Sequence, residues 1–164
     1  MENSIGKGKT FRVEPDAVDA PAAKDPQVIG QTLPEVSRQK DGKNHTILYV
    51  EDNQDNLKLI EQALNIQKNI ELISAPQAEI GIDLAKAHDI DLILMDINLP
   101  GMDGVEAMKI LRRTEKTRNL PIVALSANAM ERDIQSALSA GFTDYIVKPI
   151  NIAGFLKKIN QLLI

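Results

Sequence analysis

The sequence predicts an α/β protein with a doubly wound, five-stranded parallel sheet. From His45 onward, short apolar and β-branched runs alternate five times with longer segments whose apolar residues recur at helical spacing. The strand runs are continuously apolar rather than alternating, which fits a sheet covered by helices on both faces. A third observation points from fold to chemistry. The run Asp91-Leu92-Ile93-Leu94-Met95-Asp96 ends on a carboxylate that enters a Pro-Gly turn, and a buried strand rarely ends on an unpaired charge.

Each element has its own signal. Thr46-Ile47-Leu48-Tyr49-Val50 reads as the first strand. Leu57, Ile60 and Leu64 follow at helical spacing, with Asn53 and Asp55 as helix-start residues. Ile70 to Ala75 is the second strand, and Ile80 to Ala87 lies in the second helix. Asp91 to Met95 is the third strand, and Val105, Met108, Ile110 and Leu111 mark the third helix. Pro121 to Leu125 is the fourth strand. Met130 to Ala140 is the fourth helix, closed by Gly141 as a C-cap. Tyr145 to Val147 is the fifth strand, and Ile152, Phe155, Leu156, Ile159, Leu162 and Leu163 form the apolar face of the last helix. Crossovers are expected to be right-handed. His45 reads as a linker residue at the domain boundary and His88 as an exposed residue at a helix end. Met95, Met102, Met108 and Met130 read as core or loop packing rather than a copper site.

Composition narrows the function. The net charge of −4 argues against a nucleic-acid surface, which is normally basic. The absence of cysteine excludes disulfides, thiolate catalysis and zinc-thiolate sites. Aromatic residues make up only 3% of the chain, so the core is expected to be aliphatic. No signal-peptide core and no bilayer-spanning apolar run is evident, so no direct membrane contact and a cytoplasmic location are expected.

Residues 1–44 differ in character. They carry Pro15, Pro21, Pro26 and Pro34 with no sustained period, and Pro21 to Pro26 reads as a solvated linker. Gly6-Lys7-Gly8-Lys9-Thr10 invites a P-loop reading. That reading fails because Asn3 stands where the motif needs its first glycine, with no room for a preceding strand.

The polar residues at strand ends carry the chemistry. Glu51-Asp52 follow the first strand, Asp96 ends the third, Ser126 follows the fourth, and Lys148 follows the fifth. In an open parallel sheet that carboxyl edge is where ligands bind. In the strand order 2-1-3-4-5, adopted by analogy with a common doubly wound arrangement, the first and third strands are neighbours. Glu51, Asp52 and Asp96 then converge. One carboxylate pair at about 4 Å repels by about 4 kcal/mol at an effective dielectric near 20, so protonation or a cation must offset it. Oxygen ligands without His or Cys favour Mg²⁺. Lys148 can hold an anionic oxygen and Ser126 is a neutral donor. Together these groups suit phosphoryl transfer onto Asp96 as nucleophile. Taken singly, Glu51-Asp52 reads as a helix-start charge pair and Lys148 as a solvated strand-end lysine. The joint arrangement favours a site.

From about His45 to Ile164 the chain resembles a two-component receiver domain, the response-regulator phosphoacceptor. The resemblance implies a flavodoxin-like (βα)5 fold. It places Glu51 and Asp52 at the acidic pair, Asp96 at the phosphorylated aspartate and Ser126 at the family's Thr or Ser. Lys148-Pro149 matches its Lys-Pro, typically cis, and Leu99 to Gly104 matches the loop after the phosphoacceptor. Tyr145 matches the switch aromatic, implied to rotate inward when Ser126 engages phosphate. Asn98 is implied to offer its backbone carbonyl to the metal, completing a ligand set of Glu51, Asp52, Asp96 and Asn98. The side chains of Asn98 and Asn128 would border the path of attacking water. Glu51 departs from the more frequent Asp, and Ser126 from the more frequent Thr.

By the same resemblance Mg²⁺ is the cofactor, and the partner is a histidine kinase or histidine phosphotransfer domain. The domain would catalyse its own phosphorylation and dephosphorylation. Ser4 to Glu14 resembles the last Gly-rich box and final strand of a histidine-kinase ATPase domain. Residues 1–14 are therefore expected to be a remnant of that domain, unable to bind ATP, residues 15–44 a flexible linker, and residues 45–164 the receiver domain of a hybrid sensor kinase. The parent kinase could be membrane-anchored, but this chain would lack kinase activity. No segment follows the last helix, so no DNA-binding output domain is expected. Two rival readings are a pseudo-receiver that docks partners without phosphorylation, and a flavodoxin-type redox protein. The latter would need a Ser/Thr-rich phosphate loop where Glu51-Asp52 stand.

Overall fold

The computed structural model describes residues 43–164. The ATPase remnant expected at 1–14 and nearly all of the linker at 15–44 lie outside the described residues. The elements are β1 (His45–Val50), α1 (Gln54–Leu64), β2 (Ile70–Ala75), α2 (Ala78–Ala87), β3 (Leu92–Asp96), α3 (Gly104–Arg113), β4 (Ile122–Ser126), α4 (Glu131–Ala140), β5 (Asp144–Val147) and α5 (Ile152–Leu162). The five strands form one sheet in the order β2-β1-β3-β4-β5, and every pairing is parallel.

Period-two alternation sends successive strand residues to opposite faces. On one face, Leu48, Val50, Ile93, Met95 and Ala124 meet Ile82 of α2, Met108 and Leu111 of α3, and Ala137 of α4. On the other, Ile47, Tyr49, Leu92, Leu94, Val123 and Leu125 meet Ile60 and Leu64 of α1 and Phe155 and Ile159 of α5. Both faces of β1, β3 and β4 are thus covered, which is why Ile47 to Val50, Leu92 to Met95 and Ile122 to Leu125 are apolar at every position. The edge strand β2 departs from that expectation, because Glu71 and Ser74 are exposed.

Several residues differ from their sequence reading, and Pro121 precedes β4 rather than opening it. His45 is not a linker residue: it opens β1, pairs with Ile70 and is only 7% exposed. Its amide donates to Asn69 O at 2.8 Å, because pairing with β2 extends β1 one residue further back than its β-branched and apolar run. Met130 is 59% exposed at the N-cap of α4 rather than packed. Asp91 precedes β3 rather than opening it. Its Oδ2 accepts from Thr46 N at 2.8 Å and its amide donates to Thr46 O at 2.8 Å, so it ties the start of β1 to the entry of β3. His88 is exposed at the C-cap of α2, as expected.

Arg112 holds the opposite side together without a carboxylate partner among the described residues. Its Nε donates to Gly141 O at 3.0 Å, and its Nη1 donates to Arg118 O at 3.0 Å and Leu120 O at 2.6 Å. Its Nη2 donates to Thr143 Oγ1 at 3.3 Å. Gly141, at φ 130°, takes a conformation open chiefly to glycine and presents that carbonyl at the end of α4. One guanidinium therefore joins the end of α3 to the turns before β4 and β5. Burial pulls the Arg112 pKa below its ordinary value. Arg112→Met keeps the aliphatic stem but removes every donor. It is expected to cost about 2–3 kcal/mol, read as a lowered urea midpoint with an unchanged slope.

Candidate functional site

The sheet's carboxyl edge assembles the predicted side chains. Parallel pairing extends one residue past β1, where Glu51 N donates to Ala75 O at 3.0 Å. Asn53 then caps α1, its Oδ1 accepting from Asp55 N at 2.9 Å and Asn56 N at 3.2 Å. Between strand and cap stand Glu51, 2% exposed, and Asp52, exposed. Asp96, the last residue of β3, is 5% exposed. Glu51, Asp52 and Asp96 each bring a carboxylate oxygen within 4.8 Å of the others.

Lys148 bridges two of the three. Its Nζ lies 2.7 Å from Glu51 Oε2 and 2.6 Å from Asp96 Oδ2. Its backbone is held in turn, as Lys148 N donates to Ser126 O at 2.8 Å, and the Lys148-Pro149 bond is cis. Burial draws the Lys148 pKa down, but hydrogen bonds and charge from Asp96 and Glu51 outweigh it and hold the value above ordinary. Burial likewise pushes Glu51 up, but the Lys148, Tyr49 and Asn56 hydrogen bonds prevail and hold it below ordinary.

Local contacts orient the rest. Asp96 Oδ1 accepts from Asn98 N at 2.8 Å, so Asn98 meets the cluster through its amide. Ser126 ends β4 buried, its Oγ accepting from Asn128 N at 3.2 Å. The Ser126 hydroxyl proton is left to donate elsewhere. Tyr145 is buried, and its hydroxyl donates to Asn128 O at 2.9 Å. Tyr145 does not touch the carboxylates, but it holds the loop that Ser126 opens.

Sequence reasoning assigned no site role to two further residues. Tyr49 donates from its buried hydroxyl to Glu51 Oε2 at 2.7 Å. The signal was available, since residues two apart on a strand share a face. A Cβ on Gly104 would lie 2.2 Å from Asp96 O. Gly104 N also donates to Ile97 O at 3.0 Å, closing the loop that follows the carboxylate. Only a residue without a side chain allows α3 to start this close to Asp96.

The donor set fits a hard divalent ion. All three side-chain groups offer oxygen, and Asp52 has no hydrogen-bond or ion-pair partner among the described residues. At these separations each carboxylate pair repels by about 3–4 kcal/mol at an effective dielectric near 20. Lys148 offsets one of the three charges, leaving two for a cation.

Residues 47–160 match the sequence profile of the response regulator receiver domain family. The polar-differentiation response regulator DivK of Brucella ovis is 36% identical over 118 residues, covering 72% of this chain and 95% of that protein. The receiver domain of sensor histidine kinase PA1611 from Pseudomonas aeruginosa PAO1, solved with a magnesium ion coordinated in its active site cleft, superposes with a TM-score of 0.67. It is 33% identical, over 73% of this chain and 98% of that one. A chain from the Saccharomyces cerevisiae co-crystal of the histidine phosphotransfer protein Ypd1 and the receiver domain of Ssk1 gives a TM-score of 0.68 at 32% identity. The match covers 73% of this chain and 89% of that chain.

Two outcomes follow for the apo site. Glu51 sits below its ordinary 4.5, so its stabilisation is present above that pH and lost as acidification passes its lower folded value. Lys148 sits above its ordinary 10.5, so its stabilisation is present below that pH and lost as alkalinisation passes its higher folded value. The stability difference between wild type and Lys148→Met is therefore expected to be widest from pH 4.5 to 10.5 and to narrow on both sides in urea titrations. Gly104→Ala must displace either Asp96 or α3. It is expected to cost about 1–3 kcal/mol and to shift the Asp96 amide resonance.

Proposed function

The chain belongs to the response regulator receiver domain family, and from that premise we propose that it is a phosphoacceptor whose Asp96 carboxylate takes a phosphoryl group from a phosphohistidine. The observation that carries this reading is the Lys148 ammonium bridging Glu51 and Asp96 beside the exposed Asp52 carboxylate. The ligands for Mg²⁺ in this reading are Asp52, Asp96 and the Asn98 carbonyl, with Glu51 completing the acidic set. When bound, Mg²⁺ supplies charge neutralisation and alignment of the phosphoryl oxygens.

The protein's own groups do the rest. Asp96 attacks phosphorus in line, forming the carboxyl O–P bond as the imidazole N–P bond breaks. Asn98 N and Lys148 Nζ hold the attacking carboxylate in place. Lys148 then turns toward a phosphoryl oxygen, and Ser126 donates its free proton to another. The product adds a charge of about −1.5 to −2 at this edge. A shift of Ser126 carries Asn128 with it and so moves the anchor of the Tyr145 hydroxyl. The surface formed by α4, β5 and α5 is biased in consequence.

A histidine kinase or histidine phosphotransfer domain is the partner in this reading. The likeness to a receiver crystallised with a phosphotransfer protein supports that kind of partner. The likeness to a sensor kinase receiver, with the resemblance at Ser4 to Glu14, supports placement within a hybrid kinase. Incubation with acetyl phosphate and Mg²⁺ is expected to yield hydroxylamine-labile acyl phosphate in wild type and none in Asp96→Asn. Full labelling of Asp96→Asn would sink the assignment. Lack of both Mg²⁺ binding and any beryllofluoride response would favour a phosphorylation-independent interaction module. Asp52→Asn, which relieves repulsion in the cluster, is expected to raise the metal-free Tm by a few degrees and to abolish the further rise on adding Mg²⁺.

A further inference from the structure

Tyr49 lies wholly buried in β1, within the cluster that faces α1 and α5. Its hydroxyl leaves that apolar setting to donate to Glu51 Oε2 at 2.7 Å. The same oxygen accepts from Lys148 Nζ at 2.7 Å, and Glu51 Oε1 accepts from Asn53 N at 3.1 Å. A carboxylate has about four acceptor positions, two on each oxygen. Oε2 is thus saturated, whereas Oε1 has the Asn53 amide and the Asn56 side chain beside it. Burial, the bond to Glu51 and the nearby charges of Glu51 and Asp96 all keep the Tyr49 hydroxyl protonated and donating.

We propose that Tyr49 is a positioning residue for the cation site: with Lys148 it occupies Glu51 Oε2 and sets the carboxylate's rotation, so that Oε1 alone faces a hydrated divalent ion. This rests on the reading of Glu51, Asp52 and Asp96 as a Mg²⁺ site. Glu51 is long enough to turn about its terminal bond, and the Tyr49 hydroxyl reaches into the site from within the core to prevent it. A purely structural alternative is simpler. A buried tyrosine needs a hydrogen-bond partner, and the nearest carboxylate satisfies it with no consequence for the cation.

The two readings separate in Mg²⁺ titration calorimetry on the full chain. Tyr49→Phe keeps the ring and removes only the hydroxyl, and a urea melt on each variant confirms the folded state. Loss of an outer partner of a metal-site ligand typically weakens metal binding by about 10- to 100-fold, and a loss near the lower bound is expected for Tyr49→Phe. In a Glu51→Gln background the same substitution is expected to change nothing further, because its effect runs through Glu51. An unchanged Mg²⁺ affinity in Tyr49→Phe, with only a lowered urea midpoint, would overturn the proposal. An equal loss in both backgrounds would overturn it too. Wild-type affinity in Asp52→Asn would instead remove the cation site itself, and the role of Tyr49 with it.

Discussion

The Lys148 ammonium makes this edge of the sheet possible. Parallel strands β1 and β3 run side by side and deliver Glu51, Asp52 and Asp96 to one place. Three carboxylates there are mutually repulsive, and the sheet gives them no freedom to separate. Contacts of 2.7 and 2.6 Å from a single Nζ to two of them reverse that balance locally. The same ammonium is matched to a phosphoryl oxygen in charge. Its place between the carboxylates thus stabilises the site and, in the proposed function, prepares it for an anionic product.

The frame around Lys148 explains why the geometry holds. The three inner strands are covered on both faces, so the ends of β1, β3 and β4 cannot drift without opening one of two cores. Lys148 is pinned to the end of β4 through Ser126 O, which places the lysine and the hydroxyl in a fixed relation. Gly104 lets the first turn of α3 touch the backbone of Asp96. On the far side Arg112 ties the turns before β4 and β5 to α3, and so supports the two strands that present Ser126 and Lys148. Stability and the proposed function therefore share residues: the groups that hold the strand ends also aim the side chains of the candidate site.

Such sharing also separates what could be read along the chain from what could not. Asp96 and Lys148 stood out because a charge closing an apolar strand is locally improbable. Strand and helix periods placed nearly every element, since buried strands must be apolar throughout and each helix needs one apolar stripe. His45 was misread because its burial comes from pairing with Ile70, a residue on a separate strand. Met130 was misread because an apolar residue at a helix start carries no local sign of whether anything covers it. Tyr49 passed as an ordinary strand aromatic, although its spacing from Glu51 already placed both on one side.

The βα alternation, the aliphatic core and the residue types gathered at the strand ends are legible along the chain, because periodicity and side-chain chemistry are local properties. Tertiary structure alone decided which of those groups meet. It set Lys148 between Glu51 and Asp96, left Asp52 exposed and brought Tyr145 to Asn128. Those contacts join residues whose separation along the chain says little about their separation in space, and only the packing of helices on both faces of the sheet closes that distance.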